Sequence, residues 1–253
     1  MFADCGSGLP LGLKLRRLGA QADDLDILLL AVKRRVSVPA RDNVIGEADT
    51  AAQVRILLTG TTCSYKRKED GTRSILSFHH AGDFCDLHRY IVPDVKSVIG
   101  VQALTDCTVA IINYRDMDKL LSRPTLASAL WRASMLDALI YRERLSSMGG
   151  GTALKRVAHL LCEQLARQEA VGIHAPHLPF SQIDLADAAG LSIVHVNRTM
   201  QTLRSLNVLS KASRAIEVVD RNQLAKIAAF DGRYLSMPEL ALKWAVQIED
   251  MRN

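Results

Sequence analysis

The stretch PFSQIDLADAAGLSIVHVNRTMQTLRSLNVLSKASRAIEVVD, residues 179–220, decides the reading of this chain. Ser181 is a good N-cap, because a hydroxyl there accepts from a free N–H of the first helical turn, and Asp184 stands where a capping box wants its acid. Leu185 and Ala186 open a short apolar helix that ends at Gly190, a residue able to take the left-handed turn that swings the chain into a second helix. Ser192 caps that second helix, and Ser181, Ser192 and Val194 stand with its outward residues as candidates on the DNA side. In this helix Val196, Met200 and Leu203 share an inward face, while His195, Asn197, Arg198, Gln201 and Arg204 face outward. Donors early in a helix suit base edges and cations further along suit phosphates: Arg198 can pair both acceptors of a guanine, and Asn197 can pair an adenine. LSKASRAIEVVD then reads as a β-hairpin wing that lays Lys211 and Arg214 over a phosphate strand. An ordinary surface helix also has a polar face. Caps, turn glycine, apolar anchors and basic wing occurring together and in order are what point to a DNA-reading helix-turn-helix.

Upstream, Gly149-Gly150-Gly151 is the most flexible stretch and reads as a hinge over 149–151. It separates an expected output domain over 152–235, begun by the amphipathic TALKRVAHLLCEQLARQ, from everything before it; residues 236–253 read as a C-terminal helical extension. Before the hinge, residues 122–148 have helical periodicity. Leu126, Ala129, Ala133, Leu136 and Ile140 recur at alternating three and four, a narrow stripe that suits a helix-to-helix seam or packing on its own domain. Residues 44–114 break into short β-rich runs such as VRILLTG, SILSFHHAGD and CTVAIINY, the pattern of a β-roll. Asp70-Gly71 between SYKRK and SILSF predicts a two-residue type I′ hairpin. A helix is expected around residues 23–36, and the sensor domain spans 1–121. The fold class is therefore α+β: a β-roll, a long helix, and a winged helix-turn-helix.

Bulk properties agree. A chain of 253 residues has room for two domains, and 48% hydrophobic with 23% charged residues is a globular balance. No run of 18 uncharged apolar residues and no signal-peptide pattern is present, so a cytoplasmic protein with no membrane partner is expected. Cys5, Cys63, Cys85, Cys107 and Cys162 are scattered without a CxxC pair, which predicts free thiols and no metal site. A net charge of +5 and a pI near 9.0 permit a polyanion partner.

The stretch DLADAAGLSIVHVNRTMQTLRSLNVL resembles the helix-turn-helix of Crp/Fnr regulators. The strand ending at Gly60, the Asp70-Gly71 hairpin, AGDF and VQALTDCTVAII resemble the same family's cyclic-nucleotide-binding-type roll, so the likeness covers about residues 25–235. The resemblance implies a homodimer joined through helix 122–148, two recognition helices about 34 Å apart on a near-palindromic double-stranded operator, RNA polymerase as a further partner, and no catalysis or resident cofactor.

Departures are specific. Well-known members carry glutamate where this chain has Val194, which can meet a thymine methyl but cannot accept from cytosine N4. Members that bind cyclic AMP have Gly-Glu-Leu and Arg-Ser or Arg-Thr; this chain has Gly82-Asp83-Phe84 followed by Cys85, then Lys96-Ser97 one residue out of register, with bulky Tyr141 and Arg142 near the base position. Asp83 is a methylene short and Lys96 lacks the bidentate fork, so these residues form an effector pocket for an unidentified molecule rather than for cyclic AMP. Oxygen-sensing members need four grouped cysteines for an iron–sulfur cluster, and Cys5 stands alone. His79, His80, Cys85 and His88 leave open a haem ligand, and Cys85 a redox switch, should its pKa be lowered. Two rival readings are an interaction module with a vestigial winged helix, which the polar face of the recognition helix argues against, and an enzyme using Cys85 and His88, which has spacing alone in its favour.

Overall fold

A computed structural model describes residues 10–92, 99–174, 177–212 and 215–236. The chain divides into two compact units, residues 1–137 with 171–173, and residues 138–170 with 174–253.

The first unit begins with helix α1 (Pro10–Arg17) and helix α2 (Ala22–Leu30). Leu11 and Leu15 bury one face of α1 against Leu25 and Leu28 of α2. The expected helix around 23–36 is thus shorter: Val36 and Val38 fall in strand β1 (Arg34–Val38). That strand pairs antiparallel with β7 (Cys107–Asn113), Val36 opposite Val109. Pairing with an interior strand overrides the local helical pattern here, because β1 then satisfies its backbone groups and β-branched side chains together.

Strands β3 (Gln53–Thr59) and β1 flank β7 in one sheet. The second sheet has the order β2 (Asn43–Ile45), β6 (Gly100–Ala103), β4 (Thr61–Arg67) and β5 (Arg73–His80). Alternation along β3 decides the layers: Val54 and Ile56 face the helices, whereas Leu57 joins Cys85, Val101, Cys107 and Val109 in a second core. Helix α3 (Leu87–Ile91) follows β5, and α4 (Tyr114–Leu121) leads from β7 toward α5 (Pro124–Gly150). The mixed helix-and-roll class read from the sequence is the one observed.

The β4–β5 hairpin differs in its turn. Gly71 has φ +80° but Asp70 does not have a positive φ, so the turn is not type I′. Lys68 N–H donates to Thr72 O at 2.8 Å across a three-residue loop, and Asp70 Oδ1 accepts from Thr72 N–H and Oγ–H at 2.9 and 2.6 Å. The aspartate prefers to cap the loop rather than enter the left-handed region itself.

In the second unit α6 (Ala153–Ala170) is the spine, burying Val157, Ala158, Leu161, Cys162 and Leu165. Around it lie β8 (His177–Leu178), α7 (Gln182–Ala189), α8 (Ile193–Ser205), β9 (Ile216–Glu217), α9 (Arg221–Ala228) and a 3-10 turn at Gly232–Leu235. Helix α5 runs through Gly149 and Gly150, so of the expected hinge only Gly151 lies outside a helix. Residues 237–253, which include the expected C-terminal helix, lie outside the described residues.

Candidate nucleic-acid interface

Helix α7 is fixed at both ends. Ser181 Oγ accepts from Asp184 N–H at 3.1 Å, while Asp184 Oδ2 accepts from Ser181 N–H at 2.8 Å and from its hydroxyl at 2.7 Å. The capping box is complete and Asp184 is buried, so the Ser181 hydroxyl, expected on the DNA side, is used inside the motif. Gly190 ends the helix at φ +62°, ψ +42°, and Leu191 N–H returns to Ala186 O at 3.1 Å. A Cβ in that conformation would be strained, which is why glycine stands at the turn.

Ser192 starts α8. Its Oγ accepts from His195 N–H at 3.3 Å and lies 2.9 Å from His195 Nδ1, so this hydroxyl too is committed to the cap. Val196, Thr199, Met200 and Leu203 are buried. Val194, His195, Asn197, Arg198 and Gln201 are exposed and Arg204 is half-buried. This is the inward and outward division read from the periodicity. One residue behaves differently: Asn197 Nδ2 donates to Gln182 Oε1 at 3.2 Å, so its amide braces α7 against α8. Gln182 had no signal in the sequence, since only the crossing of the two helices brings it near Asn197.

The wing is a short hairpin. Ser210 N–H donates to Glu217 O and Val219 N–H to Val208 O, both at 2.9 Å, with Leu209 bridged to Val218. Its base is widened by a strand not foreseen, β8, with Leu178 opposite Ile216. Lys211 is exposed near the tip. Arg214 lies outside the described residues.

Residues 155–227 match the model of the Crp-like helix-turn-helix domain, and residues 35–124 match that of the cyclic nucleotide-binding domain. The chain belongs to the Crp/Fnr family. It is 27% identical over 190 residues to the nitrogen fixation regulation protein FixK of Rhizobium meliloti, covering 75% of this chain and 84% of that protein. The FixK protein of Azorhizobium caulinodans is 28% identical over 191 residues, covering 73% and 75%. Among solved structures, FixK2 from Bradyrhizobium japonicum superposes with a TM-score of 0.66 at 26% identity, covering 77% of this chain and 96% of that one. This is a DNA-binding transcription regulator of the Crp/Fnr type, and the relatives named here are regulators. Among the described residues no helix is long and apolar enough to cross a membrane.

The effector residues expected of a Crp/Fnr sensor are occupied by the fold. Asp83, buried, pairs with Lys14 Nζ of α1 at 2.5 Å and accepts from His80 N–H at 2.8 Å. Phe84 packs with Ile56 in the helix-side core, and Cys85 lies between the sheets. Gly82 stands against α1 itself, where a Cβ would come within 2.8 Å of the Pro10 carbonyl carbon at a φ of +92°. These four residues therefore do not line an open pocket: α1, unseen in the sequence, covers Gly82, Asp83 and Phe84, and Cys85 is enclosed between the sheets. Gly82→Ala is expected to lower the unfolding free energy by more than about 1 kcal/mol, read as a denaturant midpoint, because both the backbone and the α1 contact must yield. Tyr141 and Arg142 are exposed on α5 in the second unit, and Lys96 and Ser97 lie outside the described residues.

Burial, with the neighbouring Asp86 charge, pushes the Cys85 thiol well above its ordinary range, opposite to what a redox switch needs. Partial desolvation, with the neighbouring Arg89 charge, lowers the His88 pKa. His79 Nδ1 is 3.0 Å from Thr62 Oγ1, a core contact. Among the described residues no cluster of three or more His, Cys, Asp or Glu can hold a metal ion.

The seam expected on α5 is also used differently. Leu126, Ala129, Ala133 and Ile140 are buried within the protomer and Leu136 is half-buried; the first three belong to the core that α1, α2 and the roll share. At 100° per residue the opposite side of the helix carries Trp131, Met135, Ala138, Arg142 and Leu145, again spaced four, three, four, three. Trp131, Met135 and Leu145 are 54%, 53% and 71% exposed, and Leu139 flanks them. This second stripe is the unspent one.

Proposed function

We propose that the chain is a homodimeric, sequence-specific regulator that reads a near-palindromic operator with one α8 per half-site. The observation that carries this reading is the exposed row His195, Arg198 and Gln201 on a helix whose other face, Val196, Met200 and Leu203, is fully buried. Arg198 pairs a guanine, Gln201 and Arg204 hold adjoining groove and phosphate positions, and Lys211 with Arg214 holds the backbone from the wing. The second copy seats on the Trp131–Leu145 stripe, whose spacing is that of a two-stranded helical seam. In such a dimer on DNA the two recognition helices enter successive major grooves, about 34 Å apart.

The protein acts in the cytoplasm on double-stranded DNA, with RNA polymerase as its functional partner and no catalysis. Neither cyclic AMP nor an iron–sulfur cluster governs it: the Asp83 carboxylate is engaged by Lys14, and Cys63, Cys85, Cys107 and Cys162 are all buried, with Cys85 and Cys107 alone of them in the core between the sheets.

Selection of bound sites from random DNA with purified, ligand-free protein tests this directly. Enrichment of a two-fold symmetric motif is expected, and enrichment of no motif would refute ligand-free specific binding. On the selected site, Arg198→Ala loses about 5–150-fold of discrimination against a changed guanine, the worth of one bidentate contact. Lys211→Ala weakens operator and scrambled DNA alike and lowers the salt slope by about one.

A further inference from the structure

The first turn of α8 holds two large apolar side chains in the open: Ile193 is 52% and Val194 59% exposed. The one hydroxyl at this end, Ser192 Oγ, is engaged by the backbone N–H and ring Nδ1 of His195. The amide one turn on, Asn197, is held by Gln182. Neither Ile193 nor Val194 can donate to or accept from a base edge. What they offer a groove is hydrocarbon.

Val194 lies four residues before Arg198 and on the same ridge, about 6 Å along the axis and therefore within about two base pairs of the base that arginine meets. In the major groove the apolar feature of a base pair is the methyl group on pyrimidine C5. Thymine and 5-methylcytosine carry the same methyl at the same place. They differ at C4, where one has an acceptor and the other a donor, and a valine cannot sense that difference. We infer that Val194, flanked by Ile193, reads a pyrimidine C5-methyl group beside the Arg198 guanine. The regulator then accepts thymine and 5-methylcytosine alike there and discriminates against cytosine and uracil. This rests on the DNA-reading role of α8 proposed above.

The test is a scan of the selected operator in which each thymine is replaced in turn by deoxyuridine, with binding followed by fluorescence anisotropy. One position per half-site, within two base pairs of the Arg198-dependent guanine, is expected to lose about four-fold in affinity, the effect of one buried methyl. At that position 5-methylcytosine restores binding and cytosine does not. Val194→Ala abolishes the methyl preference there without shifting the melting temperature, since the side chain is exposed. Val194→Glu turns the preference toward cytosine, whose N4 it can accept from. Equal binding to thymine and uracil at every position, or a methyl preference that survives Val194→Ala, overturns the inference while leaving the operator and its Arg198 guanine intact. Failure to select any operator takes down both.

Discussion

A chain carrying Trp131→Glu and Met135→Glu is expected to be a folded monomer that binds its operator about 100- to 10,000-fold more weakly than the unmodified protein. The reasoning is one of linked sites: a dimer engages its second half-site as an intramolecular event, and an advantage of about that size disappears when the halves separate. Both side chains are more than half exposed in the protomer. Placing charge there costs the monomer within about 0.5 kcal/mol, the usual range for surface positions, while two carboxylates per helix facing their copies cannot be desolvated without a cation. Sedimentation equilibrium reads the mass and anisotropy reads the affinity. The contrasting variant is Leu126→Ala on the buried face, expected to cost roughly 2–5 kcal/mol of stability through loss of packing and a residual cavity, with no change in stoichiometry below its midpoint. A double-glutamate protein that stays dimeric with unchanged affinity would move the dimer contact elsewhere, and a Leu126→Ala protein that dissociates while folded would return it to the first stripe.

Those two stripes explain how far periodicity reaches. Both have the same alternation of three and four, and a helix apolar on opposite sides advertises two seams. Which one the protomer keeps for itself depends on the shape of the roll and on α1 and α2, and that information lies in elements spread from Pro10 to Leu121, outside the helix itself. The helix-turn-helix was legible for the opposite reason. Its determinants, the Ser181–Asp184 box, Gly190, the Ser192 cap and the buried Val196–Met200–Leu203 face, are all set by neighbours in sequence. A contact that crosses between elements is not written in the local sequence even inside this motif: nothing near Asn197 in the chain announces that its amide donates to Gln182.

The sensor was legible as architecture but not as chemistry. Short β runs and turn residues announced the roll, yet Arg34, Arg35 and Val36 were absorbed into the preceding helix because Val36 follows Leu25, Leu28, Leu29 and Val32 at helical spacing. Helix α1, eight residues long with Gly12 inside it, is too short to be stable alone and owes its existence to packing of Leu11 and Leu15. Missing it meant missing the cover over Gly82 and the Lys14 partner of Asp83. A family motif in the sequence marks where an effector residue stands in the chain, and only tertiary structure tells whether that residue is still free to act.

The same distinction governs the most buried charges in the roll. Asp86→Ala is expected to destabilise the first unit by about 3–5 kcal/mol, the cost of removing one partner of a buried ion pair. Asp86 is 1% exposed and does two jobs there: it accepts from Arg55 N–H at 2.8 Å and from Arg55 Nη1 at 2.7 Å. Arg55, 6% exposed, also reaches Asp49 from Nη2 at 2.7 Å, and Arg89 of α3 donates to the Asp49 carbonyl. Removing Asp86 leaves a buried N–H without its acceptor and a guanidinium with half its counter-charge, which water cannot enter to replace without opening the roll. Asp86→Asn keeps the acceptor for Arg55 N–H but loses the charge and sets its amide N–H against Arg55 Nη1, so its cost should fall below that of the alanine only by the worth of the backbone bond, about 1 kcal/mol. Urea unfolding followed by circular dichroism measures both. An alanine variant within about 0.5 kcal/mol of the parent, the range of surface substitutions, would mean that the Arg55 network contributes nothing net. Equal losses for alanine and asparagine would place the whole effect on the charge and the guanidinium bond, and none on the backbone bond.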